Sequence, residues 1–188
     1  MSDMTTSALP GADFAGFVKI REAGFQGMIT LRGDIGSEPL GKAIVQITGC
    51  ALPDQRKVTR KGDHAVAWMS PDEVMILCPH AEAARLVTTL SKALAGEFVT
   101  LADVSDARAV FTLSGPLWRD VLAKLCPVDF GVLSEGDMRR TRAAQVAAAI
   151  WISAPDTATL ICFRSVAGYM FDLLCTAAAP GSEPGLHG

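Results

Sequence analysis

WMSPDEVMILC (residues 68–78) and WISAPDTATLIC (residues 151–162) are two versions of one pattern. Trp, Ser, Pro, Asp and Cys recur in order, with Ala154 as one extra residue in the second copy. Upstream, TLRG (residues 30–33) is answered by TLSG (residues 112–115). The Gly pair lies 82 residues apart, the Trp pair 83 and the Cys pair 84. Three anchors at a nearly constant offset divide the chain into two matched halves. The reading is an N-terminal arm over 1–27, a first half over 28–104, a second half over 105–178 and a flexible tail over 179–188.

Both halves parse alike. Each opens with a strand, MITLRG (28–33) or RAVFTLSG (108–115). In the second, Ala109, Phe111 and Leu113 alternate with Arg108, Val110 and Thr112. A helix follows behind a proline. Leu40, Ile44 and Ile47 share one helical face after Pro39, as do Leu117, Val121 and Leu125 after Pro116. A long connection leads to two strands around a Pro-Asp turn, Pro71-Asp72 or Pro155-Asp156, where proline presets the turn and Asp bonds the backbone ahead. A second helix closes each half. Leu86, Leu90 and Leu94 form its face in the first, with Gly96 ending it. In the second, Ser165 is the expected N-cap of a helix with Val166, Met170, Leu173 and Leu174 on its face. Residues 98–104 read as a strand between the halves.

AAQVAAAIWI (143–152) is alanine-rich and favours a helix by propensity. The repeat makes it a strand, because HAVAW (64–68) holds the equivalent place, and tertiary context overrides a weak preference. The expected architecture is α+β: two β-α-β-β-α halves, mostly antiparallel sheet with helices packed on its faces.

Composition narrows the function classes. The chain has 188 residues, 49% hydrophobic and 20% charged, which suits a globular protein with a full core. Lys plus Arg is 17 against 20 Asp plus Glu, a net charge of −3, and a duplex-binding surface usually needs a basic excess. No apolar run approaches the ~20 residues of a membrane span. The N-terminus carries Asp3 and no basic, apolar signal pattern. Five cysteines, Cys50, Cys78, Cys126, Cys162 and Cys175, contain no C-x-x-C and fit buried thiols in a reducing cytoplasm.

The search for chemistry finds no nucleotide-binding glycine loop, and AGFQG (23–27) has the wrong spacing. Ser114 and Cys126 are the candidate nucleophiles. Ser114 reads as a turn residue, and Cys126 before Pro127 sits in an apolar setting unlike an activated thiolate. His64 and His80 read as residues at the start of a strand and a helix, and His187 as part of the tail. Asp103 and Asp129 could meet a pterin ring, whereas turn formation explains both without function. Arg56, Lys57, Arg60 and Lys61 form a basic cluster in the long loop of the first half, and Arg139, Arg140 and Arg142 another in the second. A solvated surface explains both; contact with an acidic protein partner is the functional alternative, with Arg favoured at interfaces.

The segments VSDARAVFTLSGPLWRDVLAKLCPVDF (104–130), RRTRAAQVAAAIW (139–151) and FRSVAGYMFDLL (163–174) resemble the gamma subunit of heterotetrameric sarcosine oxidase. LRGD (31–34) and AWMSPDEVMILC (67–78) fit the same family more loosely. That family is similar in fold to the folate-binding domain of glycine-cleavage aminomethyltransferases and of tRNA-modifying GTPases. The resemblance implies a four-chain oxidase that demethylates sarcosine to glycine, passes electrons through flavins to oxygen, and delivers the one-carbon unit to tetrahydrofolate or releases it as formaldehyde. It implies a cytoplasmic, non-catalytic gamma chain assembled with alpha, beta and delta subunits. FAD, FMN, NAD, tetrahydrofolate and zinc would be held by those other subunits. No catalytic, cofactor-binding or metal-binding residue is therefore expected here, and Arg139, Arg140 and Arg142 are the expected polar part of a partner interface. The alternative is a stand-alone folate-binding module or aminomethyltransferase-like protein.

Overall fold

The computed structural model describes residues 6–187; Met1 to Thr5, Asp3 included, and Gly188 lie outside the described residues. The chain forms two compact units. One is the continuous stretch Gln26–Ser105; the other joins the chain up to Phe25 with the chain from Asp106 onward.

The continuous unit holds β3 (Gly27–Arg32), α1 (Glu38–Thr48), β4 (Val58–Lys61), β5 (His64–Ser70), β6 (Glu73–Cys78), α2 (Ala83–Ala93) and β7 (Thr100–Asp103). Its antiparallel sheet runs β4-β5-β6-β3-β7. The composite unit holds β1 (Asp13–Ala15), β2 (Lys19–Glu22), β8 (Arg108–Ser114), α3 (Trp118–Ala123), β9 (Met138–Ala143), β10 (Val146–Ala154), β11 (Thr157–Phe163) and α4 (Ala167–Ala177). Its sheet runs β1-β2-β8-β11-β10-β9. The architecture is α+β with two similar halves. Each half has one strand more than the sequence reading, β4 in the first and β9 in the second. The segment read as an arm supplies β1 and β2, and β2 lies beside β8 where β7 lies beside β3.

The repeat is closer in structure than in sequence. In the β5–β6 hairpin Ala65 faces Leu77 and Trp68 faces Val74; in β10–β11 Ala149 faces Ile161 and Ile152 faces Ala158. Every one of these positions is offset by 84 residues. Both ladders bulge just before the Pro-Asp turn, at Met69 and at Ser153. Trp151 is thus the counterpart of Ala67, and the Trp-on-Trp match is one residue out of register. A one-residue slip turns a strand side chain to the other face. Trp68 stands in line with core residue Val66, whereas Trp151 points away from Ile150 and Ile152. Ala154 is no insertion. The added residues lie in the β9–β10 hairpin, which continues for two pairs beyond the equivalent of Lys61–His64, through Arg142–Ala147 and Ala143–Val146.

Helices cover one face of each sheet. On the continuous unit Leu40 and Ile44 of α1 and Leu86 and Leu90 of α2 pack with Ile29, Leu31, Val66, Val74 and Ile76. Ser37 caps α1, accepting from Leu40 N at 3.5 Å, and Gly49 ends it in the left-handed conformation at φ 75°. On the composite unit Trp118, Val121 and Leu122 of α3 and Met170 and Leu174 of α4 pack with Phe111, Ile150 and Leu160. The α3 face is therefore Trp118, Val121 and Leu122 rather than Leu117, Val121 and Leu125. The helix lasts six residues, and the chain turns before Pro127, where a helical residue would clash with the proline ring.

Three smaller expectations are corrected. α2 stops at Ala93 and closes with Leu94 N donating to Leu90 O, so Gly96 lies beyond the cap. Ser165 falls inside a short 3-10 turn, Arg164–Val166, and caps nothing, because that turn leads into α4 at Ala167. RKVTRK is mostly strand: β4 takes Val58 to Lys61, Lys57 forms a bridge just before it by accepting from Trp68 N at 3.0 Å, and Arg56 stays in the turn. The stretch 143–152 is extended, as the repeat requires, apart from the turn at Ala144 and Gln145.

Candidate functional site

The side chains with catalytic potential are spread over both units. Cys126 is buried in the turn that follows α3, and desolvation pushes its thiol up to about 12. Burial pushes Cys78 and Cys162 to about 11 and raises Cys175 as well. At neutral pH these thiols are protonated and poor nucleophiles. Ser114 ends β8 opposite Lys19 and Thr157, with no histidine across either ladder. His64 starts β5 and meets Glu82 at 3.3 Å, which also accepts from Arg85 at 2.9 Å. His80 begins the 3-10 turn ahead of α2.

Asp103 and Asp129 serve their own turns. Asp103 Oδ1 accepts from Ser105 N at 3.0 Å and Ser105 Oγ at 2.5 Å, and Ser105 Oγ in turn accepts from Met28 N at 2.9 Å. Asp129 Oδ1 accepts from Gly131 N at 3.0 Å. Among the described residues no group of three or more His, Cys, Asp or Glu side chains could hold a metal ion. These residues do not fit a zinc site, and the chain has no glycine loop for a dinucleotide.

The surface carries more information. Arg60 and Lys61 of the first basic cluster and all three arginines of the second lie on equivalent edge strands, β4 and β9. Alternation splits the second cluster. Arg139 lies opposite core residue Ile150 and donates to Met138 O at 2.7 Å, while Arg140 and Arg142 lie opposite Ala149 and Ala147 and are exposed on the other face. The structure thus brings two of the three expected interface arginines onto one surface. Charged side chains on an edge also discourage uncontrolled strand pairing.

An apolar groove of about 640 Å³ runs along the outer side of α1, lined by Ile35, Gly41, Val45 and Leu52 among others. Gly41 keeps it open, because a Cβ there would stand 3.2 Å from Leu52 Cδ1. Val45 is 47% exposed and Phe98 fully so. Glu97, beside Phe98, accepts from Ser37 Oγ at 3.0 Å at the head of α1. The sequence reading missed this surface, since Val45 and Phe98 are unremarkable until the helix face is known.

The fold is one of helix-covered antiparallel sheets. The fold is shared with the glycine cleavage system aminomethyltransferase T from Bartonella henselae: TM-score 0.64 over 86% of this chain and 46% of that one, at 13% identity, a likeness of fold alone. A family model described as "Sarcosine oxidase, gamma subunit family" matches residues 32–180. Sarcosine oxidase subunit gamma from Corynebacterium sp. (strain P-1) is 36% identical over 124 residues, 65% of this chain and 60% of that protein's length. The protein of the same name from Arthrobacter sp is 33% identical over 148 residues, 77% of this chain and 71% of its own. A chain of the heterotetrameric sarcosine oxidase from Corynebacterium sp. U-96, solved in complex with pyrrole 2-carboxylate, superposes with a TM-score of 0.79 at 27% identity, covering 88% of this chain and 87% of that one. The chain belongs to the sarcosine oxidase gamma subunit family. Among the described residues no helix is long and apolar enough to cross a membrane.

Proposed function

We propose that this chain is a non-catalytic gamma subunit of a cytoplasmic four-chain sarcosine oxidase, assembled with alpha, beta and delta subunits. The complex would convert sarcosine to glycine and pass the one-carbon unit to tetrahydrofolate or release it as formaldehyde. FAD, FMN, NAD, tetrahydrofolate and zinc would all sit on the other subunits. The observation that carries this reading is the family match across residues 32–180. The protonated, buried thiols of Cys78, Cys126 and Cys162 are compatible with it. So is the form of the surface, with an apolar groove on α1 and a basic edge on β9. The alternative, a stand-alone folate-binding module, would have to use Asp103 or Asp129, each of which already spends one carboxylate oxygen on a local turn.

The chain's role is then to bury surface against its partners. Obligate interfaces commonly bury ~2,000–5,000 Å² and are rather apolar. Arg140 and Arg142 form the polar part of that contact. The double variant R140E/R142E should be retained several-fold less by a tagged partner subunit, with thermal unfolding unchanged, because charges at an interface rim mainly set encounter and register. Unchanged retention would remove the arginine assignment. Oxygen consumption by the isolated chain with sarcosine would remove the subunit reading itself.

A further inference from the structure

Two rows of directly opposed residues cross β1, β2, β8 and β11. One row is Asp13, Arg21, Thr112 and Thr159; the next is Ala15, Lys19, Ser114 and Thr157. Side chains directly opposite in neighbouring strands share a face, so the rows set two cations beside a ladder of hydroxyls. Lys19, Arg21, Thr112 and Ser114 line a hollow of about 110 Å³. That is room for several waters or one phosphate group.

The two cations already converge on an oxyanion. Asp13 Oδ2 accepts from Arg21 Nε at 3.1 Å, from an Arg21 terminal nitrogen at 3.0 Å and from Lys19 Nζ at 3.3 Å. One carboxylate oxygen thus takes three charged donors, from the strand on the far side of β2 from the hollow. On the hollow side stand Ser114 Oγ and Thr112 Oγ1, the latter donating only a long 3.5 Å bond to Arg21 O. Lys19, Arg21 and Asp13 are 49%, 57% and 38% exposed, so their ends can swing between the two sides of β2.

We propose that the Lys19–Arg21–Thr112–Ser114 hollow binds a phosphate group, and that Asp13 is its built-in competitor. Two cations match the charge of a dianion, and a tetrahedral oxyanion offers enough oxygens for the guanidinium fork, the ammonium and both hydroxyls at once. A carboxylate has only two oxygens and already has its place on the β1 side. Arginine favours phosphate through paired, charge-assisted hydrogen bonds. The site is independent of the oxidase reading, since it uses no partner and no redox step.

Calorimetric titration of the 188-residue chain with inorganic phosphate, phenyl phosphate and acetate, all at one ionic strength, tests this. Saturable binding of phosphate or of the ester, stronger than that of acetate, is the expected result. R21Q and K19Q should each weaken it about tenfold, the scale of one charge-assisted bond, and D13N should tighten it by removing the competitor. Preference for inorganic phosphate assigns a free ion; preference for the ester assigns a phosphorylated small molecule. The three substitutions sit on exposed side chains and spare the core. Absence of saturable binding at millimolar concentrations, equal binding of acetate, or binding unaffected by both R21Q and K19Q would overturn the proposal.

Discussion

Trp118 illustrates how much rests on one residue. Its side chain is fully buried, its indole donates to Pro155 O at 3.0 Å, and its ring meets Phe130 edge-on with centroids 6.0 Å apart. Arg119 lies over the same ring and ties the following loop by donating to Phe130 O and Leu133 O, each at 3.2 Å. Trp118→Ala should therefore cost about 3–5 kcal/mol, measured by denaturant unfolding, with the composite unit's near-ultraviolet signal lost first. The thiols give a second expectation. Cys78, Cys126 and Cys162 should be inert to a disulfide reagent at pH 8 in the native chain and react only on unfolding. Their folded pKa values, about 11, 12 and 11, lie above the ordinary value of 9.0. Above about pH 9 the unfolded chain then binds fewer protons than the folded one, so stability falls with rising pH. The contribution is whole below pH 9 and is lost by about pH 12. An unfolding midpoint constant from pH 8 to 11 would contradict the assignment.

At the scale of elements, the β9–β10 hairpin has a built-in weakness. Its two-residue turn places Ala144 at φ 50°, a left-handed conformation disfavoured for a residue with a Cβ. The equivalent turn in the first half begins with Gly62 at φ 58°. Ala144→Gly should raise stability by about 0.5–1 kcal/mol, the steric relief exceeding the added freedom of the unfolded chain, seen as a rise in melting temperature. The same hairpin shows what the sequence could and could not reveal. Matching Pro-Asp turns and the TLRG/TLSG pair made the hairpins, helices and α+β class legible. The Trp-on-Trp register was misleading, because an isolated identity weighs nothing against side-chain alternation over a whole strand. β4 and β9 were hidden because Val58 to Lys61 and Met138 to Ala143 are rich in charge, as edge strands tend to be. β2 was hidden in plain view. In KIRE, Ile20 and Glu22 are buried while Lys19 and Arg21 are exposed, an alternation that marks a strand. With β2 unrecognised, the cationic hollow beside Ser114 had no visible frame. The α1 groove depended on where Gly41, Val45 and Leu52 meet in space.

At the scale of the whole molecule, each unit closes its own apolar core, and the remaining apolar exposure is concentrated in a few side chains such as Val45, Phe98, Val132 and Tyr169. The proposed role is to be held by other subunits. Co-expression with the subunits proposed to bear flavin, followed by size-exclusion chromatography monitored at protein and flavin wavelengths, tests that claim most directly. The account predicts that this chain elutes with the flavin absorbance in one complex, and that the chain purified alone is colourless and inert toward sarcosine. An isolated chain that retains flavin and turns over sarcosine, or one that elutes apart from the flavin-bearing subunits, would contradict it.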